Sequence, residues 1–454
     1  MRKEKQLLQW FPLTTMKRDR VKDLSNISWQ EEELKCKTKL LLLPKKEFPI
    51  ITILILIKAG SSLDPRGKEG LARLVFKTMI TGTEKMDWKT LSFEIERIGA
   101  SLDVFTSKDF TIFSMELLSI NFLKGIKILS DILLNPAFKE EEIEKEKEKT
   151  LNIIKDEKND PALTATKNFF EVIFKNTPYS HPSIGYLNSV KRINKEDILN
   201  FYNEMVNPEN SFIVIVGNFD DNLIKVIDEH LSPWKTHKSK SLELKFEFSK
   251  TPEFFVINDP DSTQAQIRMG KFSSLRRGDE DFIPAIVGNA ILGNLFTSRL
   301  INKIRGELGL SYAINSSIHS FKYGGIFSIS TFTKNESVFK IIDSVRKEVE
   351  EFVEKGIRED ELERVKRFIN GKFPSALQTY SDLAGRIAEI EYYELPKTYL
   401  KDYLERIENL KIKEVEDAIR KHLSPDGFSI LVLGKIEEIE KNLSLIGKFN
   451  VKEV

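Results

Sequence analysis

The 454-residue chain has a single cysteine, Cys36, so no disulfide can form within it. That fits a reducing compartment, although bridge-free proteins also occur outside the cytoplasm. It has no apolar run long enough to cross a bilayer, which takes about 20 residues. The longest, Phe48 to Ile57, is closed off by Lys46 and Lys58 and reads as a buried strand. Neither sign of charge is in excess: Lys+Arg 70 against Asp+Glu 69 leaves a net charge of +1. No global field therefore exists to attract nucleic acid or an anionic membrane. Glutamine is scarce beside Lys, Glu and Ile, a bias associated with proteins of hot environments. The N-terminus, MRKEKQLLQWFPLTTM, starts basic, but its apolar piece is broken by Gln9 and Pro12. No signal peptide is expected there, and cytoplasm and periplasm both stay open. The histidines, His181, His230, His237, His319 and His422, never fall at HxxxH or HxxEH spacing. There is no Walker loop, no dinucleotide-binding glycine pattern and no CxxC.

What is present is a repeat. Hydrophobic residues make up 41% and charged residues 31%, a globular profile, and the length suits two to four domains. INKEDILNFYNEMVNPENSFIVIVGNFDD, from Ile193, is echoed by LKIKEVEDAIRKHLSPDGFSILVLGKIEE, from Leu410. In both, a helix gives way to proline, then a turn, then a β-branched strand ending at glycine. Pro208 recurs as Pro425 and Gly217 as Gly434, a displacement of 217 residues each time. GSSLDPRGKEGLARLVFKTMITG, from Gly60, has a counterpart in FSSLRRGDEDFIPAIVGNAILGN, from Phe272. Each half supplies strand, loop, long helix, hairpin strands, more helices and a final strand, which indicates an α+β fold. The expected division is an N-terminal extension, 1–32, a first domain, 33–236, a lysine- and serine-rich linker, 237–253, and a second domain, 254–454.

One segment carries more chemistry than the rest. Gly60 to Thr83 follows a β-rich run, and Leu71, Leu74, Val75 and Met79 recur with the period of an amphipathic helix. This strand, glycine-bearing loop and helix resemble the signature of the pitrilysin (M16) family of zinc metallopeptidases, the inverzincins, whose helix bears HxxEH. Here those five positions read Arg73, Leu74, Val75, Phe76 and Lys77. Two histidines one turn apart converge on one ion, and the glutamate between them activates the zinc-bound water. Arg73 and Lys77 offer a metal no lone pair, and Phe76 accepts no proton. The resemblance puts the family's third ligand, a glutamate, at Ile153, while Glu146 matches a supporting carboxylate. It covers residues from about 33 to 440. It implies a LuxS/processing-peptidase-like metallohydrolase fold: two homologous α+β domains, each a mostly antiparallel sheet with helices packed on one side. It also implies no metal or other cofactor in this chain.

Other stretches match the family in residues that still carry function there. ILGNLFTSRLINKIRGELGLSYAI, from Ile291, is similar to its C-terminal motif, in which an arginine and a tyrosine seven apart hold the substrate. Here they are Arg305 and Tyr312. A guanidinium and a phenol suit a peptide carbonyl that gains negative charge during attack. The alternative is a surface ion pair between Arg305 and Glu307, with Tyr312 packed as a strand aromatic. GASLDVFTSKDFTIFSMEL, from Gly99, resembles the edge strand that pairs with extended substrate, through Ser101, Leu102, Asp103, Val104 and Phe105. An ordinary interior hairpin stays open there. On the edge-strand reading, Arg73 and Lys77 would meet a peptide carboxylate instead of a metal. PYSHPSIGYLNSV, from Pro178, reads as a structural loop and helix start.

In the family's two-component enzymes one subunit brings HxxEH and the other brings the Arg and Tyr. The expected role is thus a zinc-free subunit acting on peptides with a homologous HxxEH-bearing partner that holds the zinc. The rivals are an inert scaffold, like the peptidase-related core subunits of respiratory complexes, and a peptide-binding homodimer. Nucleic acid and a transmembrane segment are not expected.

Overall fold

The computed structural model describes residues 27–236, 248, 251–443 and 446–453. The expected extension, 1–32, and linker, 237–253, therefore fall largely outside the described residues. Residues 27–32 do not stand apart from the first domain: Trp29 is buried in a core, and residues 30–33 form its first strand.

Each half forms a six-stranded sheet. The first contains β1 (Gln30–Glu33), β2 (Lys39–Pro44), β3 (Ile50–Ile57), β4 (Ser101–Thr106), β5 (Thr111–Leu118) and β6 (Ser211–Gly217). The second contains β7 (Phe254–Asn258), β8 (Ala265–Ser273), β9 (Ile314–Phe321), β10 (Gly324–Thr333), β11 (Ser429–Gly434) and β12 (Asn450–Glu453). Their orders are β1-β2-β6-β3-β5-β4 and β12-β7-β11-β8-β10-β9. The repeated strands β6 and β11 occupy the same slot, parallel to β2 or β7 on one side and antiparallel to β3 or β8 on the other. Apart from β2·β6, β7·β11 and β7·β12, all the pairings are antiparallel.

The runs in β3 (IITILILI) and β6 (SFIVIVG) are apolar on both faces because both faces are covered. On one, Ile51, Ile53, Ile55 and Ile57 of β3 and Ile213 and Ile215 of β6 pack with the domain's own helices. On the other, Leu54, Leu56, Phe212, Val214 and Val216 pack on Leu383, Ala384 and Ile387 of the Tyr380–Tyr392 helix, which comes from the second half. The cover is returned. The Pro161–Ile173 helix of the first half, capped by Asp160 and entered through Pro161, lays Ala165, Phe169 and Ile173 on Ile257, Leu431 and Leu433 of the second sheet. Each half thus carries its own helices on one face, as expected, and borrows a helix for the other. The expectation of helices on one side describes each half by itself and misses this exchange.

A buried carboxylate joins the halves at the β4–β5 turn. Asp109 accepts from the Tyr179 hydroxyl (2.5 Å) and from the backbone N–H of Lys322 (2.9 Å), which lies in the β9–β10 turn of the other half. The Tyr392 hydroxyl reaches the Asp109 carbonyl at 3.4 Å, with the Phe110 and Tyr392 rings 4.8 Å apart.

Candidate functional site

The degenerate motif sits on the Leu71–Met79 helix. β3 leads through a 3-10 turn, Ser61–Leu63, to Asp64, whose buried side chain caps the helix from outside it. Its Oδ2 accepts from the Gly70 N–H and its Oδ1 from the Ala72 N–H, each at 2.7 Å. Gly70 has φ +102, and a Cβ there would stand 2.7 Å from the Ile184 carbonyl oxygen. The loop and its buried Asp64 thus fix where the helix starts and how it is held.

What the helix presents has changed. Phe76 is wholly buried, edge-on to Phe113 (centroids 5.9 Å) and Phe201 (6.2 Å), so the position expected to answer to the general base belongs to the core. Arg73 is half-buried, and its Nη1 donates to Thr150 Oγ1 (3.1 Å) on the Glu140–Glu157 helix. Burial lowers its pKa against the pull of Glu146 and Glu157. Lys77 is half-buried too, and burial, then the Arg73 charge, lowers its pKa, against the pull of Asp103 and Glu146. Ile153 is 41% exposed and carries no ligand atom. Zinc does not fit these residues. Among the described residues no group of three or more His, Cys, Asp or Glu could hold a metal ion.

Arg305 and Tyr312 come together. Arg305 lies in the π-helical segment Ile301–Glu307, and Tyr312 follows the Gly309 turn (φ +60) just before β9. The guanidinium stacks 4.7 Å from the Tyr312 ring centroid and 5.2 Å from that of Phe296. Tyr312 is 74% exposed and Phe296 72%. The alternative of an Arg305–Glu307 pair is not what the structure holds: Glu307 bonds Lys303 at 2.6 Å. Among the described residues no carboxylate lies within ion-pair distance of Arg305. Tyr312, being exposed, is no packed strand aromatic. Of the two openings for the Gly99 stretch, the edge is observed. Among the described residues β4 ends its sheet, paired with β5 alone, and Ser101, Asp103 and Phe105 are exposed, Leu102 is half-buried and Val104 is buried.

Reading the sequence alone missed the buried polar cluster behind the motif loop. Lys108 Nζ donates to the His181 carbonyl, and burial brings its pKa down to about 8 against the pull of Asp64 and Asp109. Asp64 is pushed up to about 8 by burial, with the Ala72 and Gly70 amides and Lys108 pulling down. His181 is lowered to about 4 by burial and then by the Lys108 charge. Its Nδ1 bonds the Pro182 carbonyl (3.0 Å), while among the described residues the buried Nε2 has no hydrogen-bond partner. The segment from Pro178 is thus structural, as expected, and it carries two titratable side chains of the junction, Tyr179 and His181. Nothing in a lone Asp, Lys or His marks burial, so the sequence offered no signal.

The fold and the degenerate helix together define a class: a two-domain metallopeptidase homologue without its metal. Residues 41–185 match the family described as insulinase (peptidase family M16), and residues 192–369 match the peptidase M16 inactive domain. The chain belongs to the M16 family as a member that has lost the zinc motif. It is 26% identical over 375 residues to the non-peptidase homolog YmxG of Helicobacter pylori, covering 82% of this chain and 86% of that one. The crystal structure of a peptidase M16 inactive domain from Pseudomonas fluorescens superposes with a TM-score of 0.84 at 23% identity, covering 90% of this chain and 98% of that one. A chain of complex III2 from Candida albicans superposes at 0.76 and 17% identity, covering 92% and 100%. The two structural likenesses establish the fold. Among the described residues no helix is long and apolar enough to cross a membrane.

Proposed function

We propose that this chain is the non-catalytic subunit of a heterodimeric M16 metallopeptidase. In this reading a homologous partner carries HxxEH and zinc, and this chain lends it Arg305 and Tyr312 to hold the peptide being cut. The observation that carries the reading is the contact of the half-buried Arg305 guanidinium with the exposed rings of Phe296 and Tyr312. A half-buried guanidinium held against two exposed rings, with no carboxylate within ion-pair distance among the described residues, is ready to donate to an external oxygen. The loss of the motif argues the same way, since a chain with Phe76 in the base position has no base of its own.

The second reading is a proteolytically inert scaffold, supported by the non-peptidase name of the Helicobacter relative and by the likeness to a complex III2 chain. Hydrolysis of a fluorogenic peptide separates the two. This chain, its nearest HxxEH-bearing homologue from the same cell, and an equimolar mixture are assayed with zinc present. Turnover in the mixture alone supports the trans-acting subunit. Turnover by the homologue alone at the same rate, or by nothing, supports the scaffold.

A further inference from the structure

Arg73 and Lys77 stand one turn apart on one face of the motif helix, and both are half-buried. A cation withdrawn from water normally keeps acceptors beside it. Other withdrawn cations in the chain find protein acceptors, either carboxylates, as Lys39 with Glu391 (2.9 Å), Lys68 with Asp197 (2.5 Å) and Arg299 with Glu361 (2.7 Å), or hydroxyl and carbonyl oxygens, as Arg268 with Thr166 Oγ1 (3.0 Å) and the Ala162 carbonyl (2.8 Å). Arg73 and Lys77 are less well supplied. Among the described residues no carboxylate comes within ion-pair distance of either, and Glu146, across from Arg73, is taken by Lys149 at 2.5 Å. Arg73 has one bond, to the Thr150 hydroxyl, and Lys77 makes none among the described residues. Three ammonium donors and most of a guanidinium fork are left without a protein acceptor.

Beside this helix runs β4, the free edge of its sheet. An edge strand presents unpaired backbone N–H and C=O groups, a template for an added strand. We propose that this chain binds an extended peptide along β4 and holds a carboxylate of that peptide between Arg73 and Lys77, where the family's active members hold zinc. The main chain of the peptide would supply affinity and the cation pair its selectivity for acid. The carboxylate could belong to an acidic side chain or to the peptide's C-terminus, and the chemistry at the two cations is the same. The proposal uses β4 and the motif helix only and needs neither a partner nor Arg305 and Tyr312.

Fluorescence anisotropy of the full chain alone tests it. The probes are three N-terminally labelled peptides of one apolar sequence, long enough to span the six residues of β4. One has a central glutamate and an amidated C-terminus, one a free C-terminal carboxylate, and one neither. At least one acidic peptide should bind roughly tenfold more tightly than the neutral one, as a charge-assisted hydrogen bond implies. Whichever gains identifies the source of the carboxylate. The advantage should shrink as salt rises, and it should vanish in Lys77→Met and in Arg73→Met, whose melting midpoints verify the fold. Equal binding of all three, no binding, or an advantage that survives both substitutions overturns the proposal. Hydrolysis is not read, so failure here leaves the trans-acting role standing, and failure of that role leaves this result untouched.

Discussion

Phe76 stands where the resemblance to the family leads one to expect a proton acceptor, and its neighbours show why reversal would not be simple. The ring fills a space bounded by Phe113 and Phe201 with no exposure. Phe76→Ala should lower stability by about 3–5 kcal/mol, read from denaturant midpoints at unchanged slope. A glutamate there would face the same cavity with a charge to bury, so restoring the motif letters should cost stability before it restores zinc. His181 gives a pH signature. Its folded pKa of about 4 lies below the ordinary 6.5, so the unfolded chain binds the extra proton between those values. The contribution is therefore present in full above pH 6.5 and is lost as pH falls toward 4, about 3 kcal/mol in all. His181→Asn should flatten that acid limb in urea titrations at pH 7, 5.5 and 4.5. A limb as steep as that of the unmodified chain would assign it to other groups.

Elements were legible in the sequence where periodicity decides them. The shortness and continuous apolarity of the Phe48–Ile57 run gave β3, the period of Leu71, Leu74, Val75 and Met79 gave the motif helix, and the 217-residue displacement gave equivalent slots for β6 and β11. The lost zinc site was legible for the same reason: a motif is local. The exchange of helices was not, because an amphipathic pattern says that a face is apolar and not which sheet it will cover. The run of apolar residues on both faces of β3 was the one trace of it. The Asp109 junction was invisible too, since Asp109 sits in a short hairpin turn where aspartate is ordinary. Exchange has a measurable consequence. Ile387→Ala, in the helix from the second half that covers the first sheet, should cost about 2–5 kcal/mol. Calorimetry should still show a single transition, because neither sheet keeps both faces covered without the other half. Two separated transitions would show that the halves are independent.

At the scale of the whole molecule, a duplicated fold has parted with one function and kept another surface. The first half has its loop, cap and edge strand while the positions expected to carry HxxEH hold two cations and a core phenylalanine. The second half holds the half-buried Arg305 against the exposed ring of Tyr312. The division suits a subunit that completes a site made elsewhere. The direct test is steady-state kinetics of the mixed pair with Tyr312→Phe and Arg305→Ala made in this chain, and with complex formation verified by sedimentation. The account predicts that each variant still forms the complex and lowers kcat about 10²-fold, the usual effect of losing one donor to a developing oxyanion. Unchanged kcat in both variants within an intact, active complex would contradict it.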